Sequence, residues 1–421
     1  MPDPEARPHH GLAPSAPVLL GLLLVALALR PQLSGIGPLA GDIRAELGAS
    51  HAFVGLLTTI PVLCMGLFAP FGPSLARAVG TRRAITAAAG TVAAAGLVRA
   101  LLPGEATLLA LTLLVGLATA MAGPMLAMFV RGRLAAHAVA GTASYAGGTT
   151  LGAALASAVA VPLAVALGGW RPSMAVISVA SGLGALVFLR LSSTGPGPVA
   201  SSTAAPAPAA TEATATRGLS LPHLPVRRPI VWAIGLLFGL QSCLYYGIAA
   251  WLPSVYVERG WDPAAAALLV TVSNVGGLVG TLIAPLASRR GVERRTLLAG
   301  ASLASLAGLL GVVLVPAPGW AWSVLMGIGL GVMFTMVLTL PTDVAHDARE
   351  AGGASALMLL VGYLISSAAP FVLGAARDAS GSFASGLWLL VALAATMVPI
   401  AWVMAPHRLR PVDRTEVMPS G

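Results

Sequence analysis

The chain of 421 residues contains no lysine, so all 24 of its basic residues are arginine, and charged side chains make up only 9% of it. A soluble globular chain carries roughly 25% charged residues. So little charge cannot cover a surface in water, and the apolar surface has to face lipid instead. The net charge of +9 would suit nucleic acid if it were clustered on a folded surface. Here the arginines sit in short loops between apolar runs, which is the pattern that orients membrane spans. No nucleic-acid partner is expected.

Cysteine is scarce as well. Cys64 and Cys243 both lie in apolar runs without a CxxC partner or a nearby histidine, so neither a redox pair nor a metal site is expected. Gly276-Gly277 lies in an apolar run with no strand before it, which excludes a phosphate loop. There is no Walker signature, nucleophile–base pair or metal cluster. An enzyme, a bound cofactor and ATP-driven transport by this chain alone are therefore not expected, and a receptor lacks an extramembrane domain of useful size.

Hydrophobic residues fill 57% of the chain. With roughly 20 apolar residues needed per crossing, spans are predicted at 16–37, 52–72, 84–102, 107–129, 139–163 and 172–190. A second set is predicted at 229–251, 264–287, 296–315, 320–341, 352–375 and 384–404. The expected fold is an all-α membrane protein of 12 transmembrane helices in two six-helix bundles, 1–190 and 229–421. Between them, 191–228 is rich in Pro, Ala, Ser and Thr and reads as a disordered cytoplasmic linker. Arg7 and the run Val18–Leu29 resemble a signal peptide, but Asp3, Glu5 and the many equal runs that follow predict an uncleaved first span.

With the N-terminus inside, 18 arginines fall on the cytoplasmic side and 5 (Arg44, Arg99, Arg171, Arg259, Arg377) on the other, with Arg30 inside span 1. The asymmetry places both termini in the cytoplasm, in a multi-pass protein of the cell membrane.

The loop after span 2 runs Leu75-Ala76-Arg77-Ala78-Val79-Gly80-Thr81-Arg82-Arg83, and the loop after span 8 runs Leu286-Ala287-Ser288-Arg289-Arg290-Gly291-Val292-Glu293-Arg294-Arg295. Each has Leu-Ala, a basic residue, Gly five positions after Leu, and an Arg pair. Two such loops six spans apart indicate parallel repeats. They resemble the Gly-x-x-x-Asp-Arg-x-Gly-Arg-Arg signature of the major facilitator superfamily, with Ala76 and Ser288 at the acidic position. The resemblance implies a gating role for Arg77, Gly80, Arg82, Arg83, Arg289, Gly291 and Arg294.

Three further stretches are similar to the cyanate/2-nitroimidazole transporter family within that superfamily. They are Leu29-Arg30-Pro31 with Gly37-Pro38 in span 1, Phe238 to Pro253 (FGLQSCLYYGIAAWLP) in span 7, and Gly362-Tyr363-Leu364 in span 11. The resemblance implies a monomeric carrier that works by alternating access, its cavity lined by spans 1, 4, 7 and 10.

Arg30 carries the most information. About 13 residues into span 1, it lies roughly 20 Å from the cytoplasmic end, and Pro31 behind it breaks the helix. An arginine near a span centre costs roughly 2.5–3.5 kcal/mol on insertion scales, keeps its charge and needs an anion, carbonyls or water. It either binds substrate or snorkels or pairs structurally, with Asp42 a candidate partner. No Asp or Glu lies in a span core, and the seven His are at tails, loops or span edges. A carboxylate proton relay is not expected, and facilitated diffusion or exchange is simpler.

Candidate substrate-binding residues are Arg30, Gln32, Tyr145, Gln241, Tyr246, Asn274 and Tyr363, with Trp251 expected in an interfacial aromatic belt. Gly148-x-x-x-Gly152 and Gly276-x-x-x-Gly280 are expected to let helices approach closely, as packing that permits one half to rock on the other and not as binding motifs. Two substrate readings remain: a small anion such as cyanate, or efflux of a small neutral heterocycle such as 2-nitroimidazole.

Overall fold

The computed structural model describes residues 16–192 and 224–404. Twelve helices within them are long and apolar enough to cross a membrane. Six precede the undescribed stretch: span 1, Ala16–Ser34; span 2, His51–Val79; span 3, Thr81–Leu101; span 4, Glu105–Arg133; span 5, Ala138–Leu167; and span 6, Trp170–Leu191. Six follow it: span 7, Pro229–Glu258; span 8, Pro263–Arg289; span 9, Arg294–Leu314; span 10, Gly319–Val344; span 11, Arg349–Ser380; and span 12, Ala384–Val403. There is no strand among the described residues. The expected linker falls largely outside them. Its ends are ordered, because Leu191 closes span 6 and Arg228 donates to the Val344 carbonyl and pairs with Glu350.

Chain direction alternates, so the joints at 80, 134–137, 290–293 and 345–347 share one face, the arginine-rich face. The joints at 35–50, 102–104, 168–169, 259–262, 315–318 and 381–383 share the distal face. Leu183, Leu186, Leu282 and Leu286 are exposed on the helices, as lipid contact requires. Between helices the chain uses small residues. Ser173, Ser302, Ser305 and Ser323 are fully buried, and Ser302 and Ser305 donate to carbonyls four residues back, 2.9 Å in each case, which hides a hydroxyl that has no water partner.

The glycine pairs bring helices into close approach. A Cβ at Gly148 or Gly152 would meet the carbonyls of Leu23 and Leu27 at 2.5 and 2.3 Å; one at Gly276 or Gly280 would meet those of Val324 and Ile328 at 2.8 and 2.3 Å. These are seams of spans 5 and 1 and of spans 8 and 10, each inside one half.

The two halves meet through spans 2 and 11 and through spans 5 and 8. The largest buried apolar cluster joins both halves and includes Ile36, Leu39, Val54 and Leu57 with Trp251, Leu252, Leu373 and Phe383. All eight lie toward the distal face. The core near the arginine-rich end of the first half is a separate cluster built around Leu22, Ala84, Ile85 and Phe129. Crossing contacts follow the same rule. The Asp378 carboxylate of span 11 accepts from the amides of His51 and Ala52 at the start of span 2 (3.0 and 2.8 Å) and bonds His51 Nδ1 at 2.6 Å. The conformation is closed at the distal face.

Candidate functional site

Span 1 is not one rod. Its helix ends at Leu29, the chain bends at Arg30, and one further turn runs from Pro31 to Ser34. Pro31 has no amide hydrogen to donate to the Leu27 carbonyl, and the span 5 backbone at Gly152 lies against that carbonyl instead. Beyond the break, the amides of Leu33 and Ser34 both return to the Arg30 carbonyl at 3.0 and 3.1 Å. Arg30 therefore stands at a helix interruption in the middle of the bundle.

Arg30 is half-buried, and the groups around its charge are three phenols: Tyr245 and Tyr246 of span 7 and Tyr363 of span 11. Among the described residues no carboxylate forms an ion pair with Arg30, so Asp42 is not its partner. Around the phenols the packing is aromatic. Tyr245 and Tyr246 meet edge to face at 5.1 Å, as do Tyr363 and Phe238 at 5.3 Å. The Tyr246 hydroxyl also reaches Met65 Sδ at 3.6 Å, and the Tyr245 hydroxyl donates to Asn274 Oδ1 at 3.2 Å. The result is one cation with phenolic hydroxyls and flat apolar faces around it. Such a site can accept a small planar solute with an electron-rich oxygen or nitrogen.

The other expected residues take different places. Gln241 is buried, with its amide directed at the Leu330 carbonyl of span 10 (3.5 Å) and its oxygen accepting from Ser242 (3.1 Å). Asn274 acts on the cluster through Tyr245. Tyr145 is half-buried, and its charged neighbour is Arg131 near the arginine-rich face. Gln32 is 1% exposed and bonded on both sides: Nε2 donates to Ser178 Oγ at 2.8 Å, and Oε1 accepts from Arg99 at 2.8 Å.

Burial bears on two expectations. Arg99, counted above with the charges of the distal side, is only 1% exposed and turned into the bundle from span 3. It is bonded to Gln32 and Thr112. Trp251 is not a belt residue. It is 1% exposed, donates from Nε1 to the Pro370 carbonyl at 2.7 Å and packs on His51 and Phe383, because span 7 faces the other half here rather than lipid. Residue type and span position suit either place; the packing of the two halves decides.

In the repeated loops, Gly80 and Gly291 both have positive φ, 89° and 81°, a turn that a side chain would strain. Arg77 donates to Ser74 at 3.0 Å. Arg82 bonds the end of span 6, at Ser192 Oγ (2.9 Å) and the Leu189 carbonyl. Arg294 pairs with Asp343 of span 10 and donates to Thr339 at 2.9 Å. Arg83 and Arg289 are exposed.

Comparison with known proteins agrees with this architecture. Residues 22–370 match the family model described as Major Facilitator Superfamily. The 2-nitroimidazole transporter of Escherichia coli (strain K12) is 29% identical over 367 residues, 87% of this chain and 89% of that protein. The cyanate transport protein CynX of the same organism is 29% identical over 385 residues, 87% of this chain and 91% of that one. Among solved structures, a bacterial homologue of the human lysosomal transporter Spinster, inward-facing and unoccupied, superimposes with a TM-score of 0.73 at 16% identity, covering 94% of this chain and 98% of the other. With twelve apolar helices in two bundles and a family match over most of its length, the chain is a multi-pass membrane protein and a small-solute transporter, not an enzyme, and belongs to the Major Facilitator Superfamily.

Proposed function

We propose that the protein moves a small anion, cyanate or a small carboxylate, across the cell membrane by alternating access, with Arg30 as its counter-charge. The observation that carries this reading is Arg30 itself: a guanidinium at a helix break, deep in the bundle, with three phenols around it and no carboxylate paired to it among the described residues. A buried charge needs a partner, and a bound anion supplies one. Tyr246 and Tyr363 line the site beside Arg30, Asn274 holds Tyr245, and Gln32, Gln241 and Tyr145 belong to its surroundings. Positive charge bias supports a cytoplasmic arginine-rich face and cytoplasmic termini. In that orientation the conformation is closed to the outside. Each six-helix bundle acts as one rigid body, a single chain encloses the cavity, and the Gly80 and Gly291 loops, with Arg77, Arg82, Arg83, Arg289 and Arg294, gate the cytoplasmic end.

The aromatic walls favour a second reading. Edge-to-face pairs around a central cation also suit a neutral nitro-heterocycle, in keeping with the relative named for 2-nitroimidazole. Flux into proteoliposomes separates the two. Labelled cyanate, small carboxylates and 2-nitroimidazole are tested with the wild type and Arg30→Gln. Transport of an anion that the substitution abolishes is the expected result. Transport of the heterocycle alone, equal in both proteins, would make Arg30 structural and the anion reading wrong.

A further inference from the structure

We propose that Arg99 is a positioning residue for the substrate site: by holding Gln32 it fixes the bend of span 1 that presents Arg30. This inference rests on Arg30 being a substrate-binding residue. The bend leaves carbonyls without their usual partners. In a continuous helix the Gln32 carbonyl would accept from the amide of Ile36; here Ile36 donates to Leu33 instead, at 3.3 Å. The freed Gln32 carbonyl accepts from Arg99 Nη2 at 3.1 Å, and the same nitrogen donates to Gln32 Oε1 at 2.8 Å. Arg99 is held in turn by Thr112 of span 4, at 3.1 Å from Nη1. The other side of the Gln32 amide is tied to Ser178 of span 6, whose hydroxyl donates to the Met174 carbonyl at 2.6 Å.

Two helices thus grip the residue two places after Arg30, and a third, span 4, braces the grip through Thr112. Room for the grip is made by Gly96, one turn before Arg99 in span 3, where a Cβ would lie 2.5 Å from the Gln32 side chain. Arginine suits this duty because it stays charged and its fixed fork reaches Thr112 from one prong and both Gln32 oxygens from the other. Like Arg30, it has no carboxylate partner among the described residues. Both of its Nη nitrogens are spent on protein hydrogen bonds, whereas Arg30 lies at the phenol cluster. The two arginines therefore divide the work: one holds the bend and the other meets the solute.

The test has a transport arm and an arm independent of substrate. In proteoliposomes, Arg99→Gln is expected to raise the KM of the carried anion about tenfold or more while kcat stays within about threefold, and Arg99→Lys to recover much of the loss. The milder Thr112→Val is expected to raise KM about threefold. An unchanged KM, with only the yield of folded protein reduced, would make Arg99 structural and overturn the proposal. In the second arm, Arg30→Cys in a background of Cys64→Ala and Cys243→Ala is modified with methyl methanethiosulfonate, a neutral reagent that reads access rather than charge. Adding Arg99→Gln is expected to change that rate at least fivefold; a rate within twofold would overturn the proposal. If the wild type carries no anion, the reading of Arg30 as an anion site fails, and the modification rate still decides whether Arg99 sets the position of residue 30.

Discussion

Asp378→Ala should open the distal face. The Asp378 carboxylate holds the start of span 2 with three contacts across the halves: the His51 amide at 3.0 Å, the Ala52 amide at 2.8 Å and His51 Nδ1 at 2.6 Å. A hydrogen bond to a charged group is worth about 1.5–3 kcal/mol. The Asp378 side chain is 30% exposed, so water replaces much of this when the gate opens. A net of about 2 kcal/mol is reasonable, which shifts the closed-to-open ratio by about 30-fold. Ala250, 5% exposed in the seam where Gly37 meets span 7, is a near-isosteric place for a reporter thiol. Ala250→Cys, with the two native cysteines removed, should react with an impermeant maleimide from the distal face about 30 times faster in the Asp378→Ala protein. The control is Arg377→Gln, which breaks a 2.8 Å contact with Glu258 inside one half and should leave the rate within about twofold. Equal rates with and without Asp378, or an equal rise in the control, would refute the idea that this carboxylate holds the halves together.

Two other substitutions test the site and the seams. Tyr246→Phe removes a hydroxyl beside Arg30 but keeps the ring; if that hydroxyl donates to the bound anion, a neutral hydrogen bond of about 1 kcal/mol implies a KM about fivefold higher, and an unchanged KM would remove Tyr246 from the site. Gly280→Ala places a Cβ 2.3 Å from the Ile328 carbonyl; overpacking of about 1–3 kcal/mol should lower the unfolding temperature of the purified protein, and a temperature equal to wild type would show that the seam of spans 8 and 10 yields.

The elements were legible because lipid imposes them. With no water to satisfy backbone groups, each long apolar run must be a helix, and the twelve runs became twelve helices with ends shifted by a few residues. Span 5 formed too, from Ala138 to Leu167, despite its Gly, Ser and Thr. The break at Arg30-Pro31 was readable from the chemistry of proline, and the positive-φ turns at Gly80 and Gly291 from their place in the repeat.

Trp251 was misread, and the inward turn of Arg99 went unread, for one reason. Both lie near the distal end of a span, where an arginine can snorkel and a tryptophan can sit in headgroups. Sequence position gives the depth of a side chain along its helix and says little about its direction around the axis. Arg99 points at Gln32 and Thr112, and Trp251 points at His51 and Phe383 of the facing elements. Tyr245 was left out of the expected site for the same reason, although it is adjacent to Tyr246; only the approach of span 1 shows that both phenols face Arg30.

The sequence by itself determined the medium, the number of helices, the two-bundle plan and the presence of an unpaired charge at a broken span, because these follow from hydrophobic run length, from proline and from the cost of burying an arginine. Tertiary structure decided which polar groups are spent on one another and which face the solute, because rotation about each helix axis is set by packing against the other helices. Span 3 turns Arg99 inward onto the bend of span 1, and spans 7 and 11 turn their phenols onto Arg30.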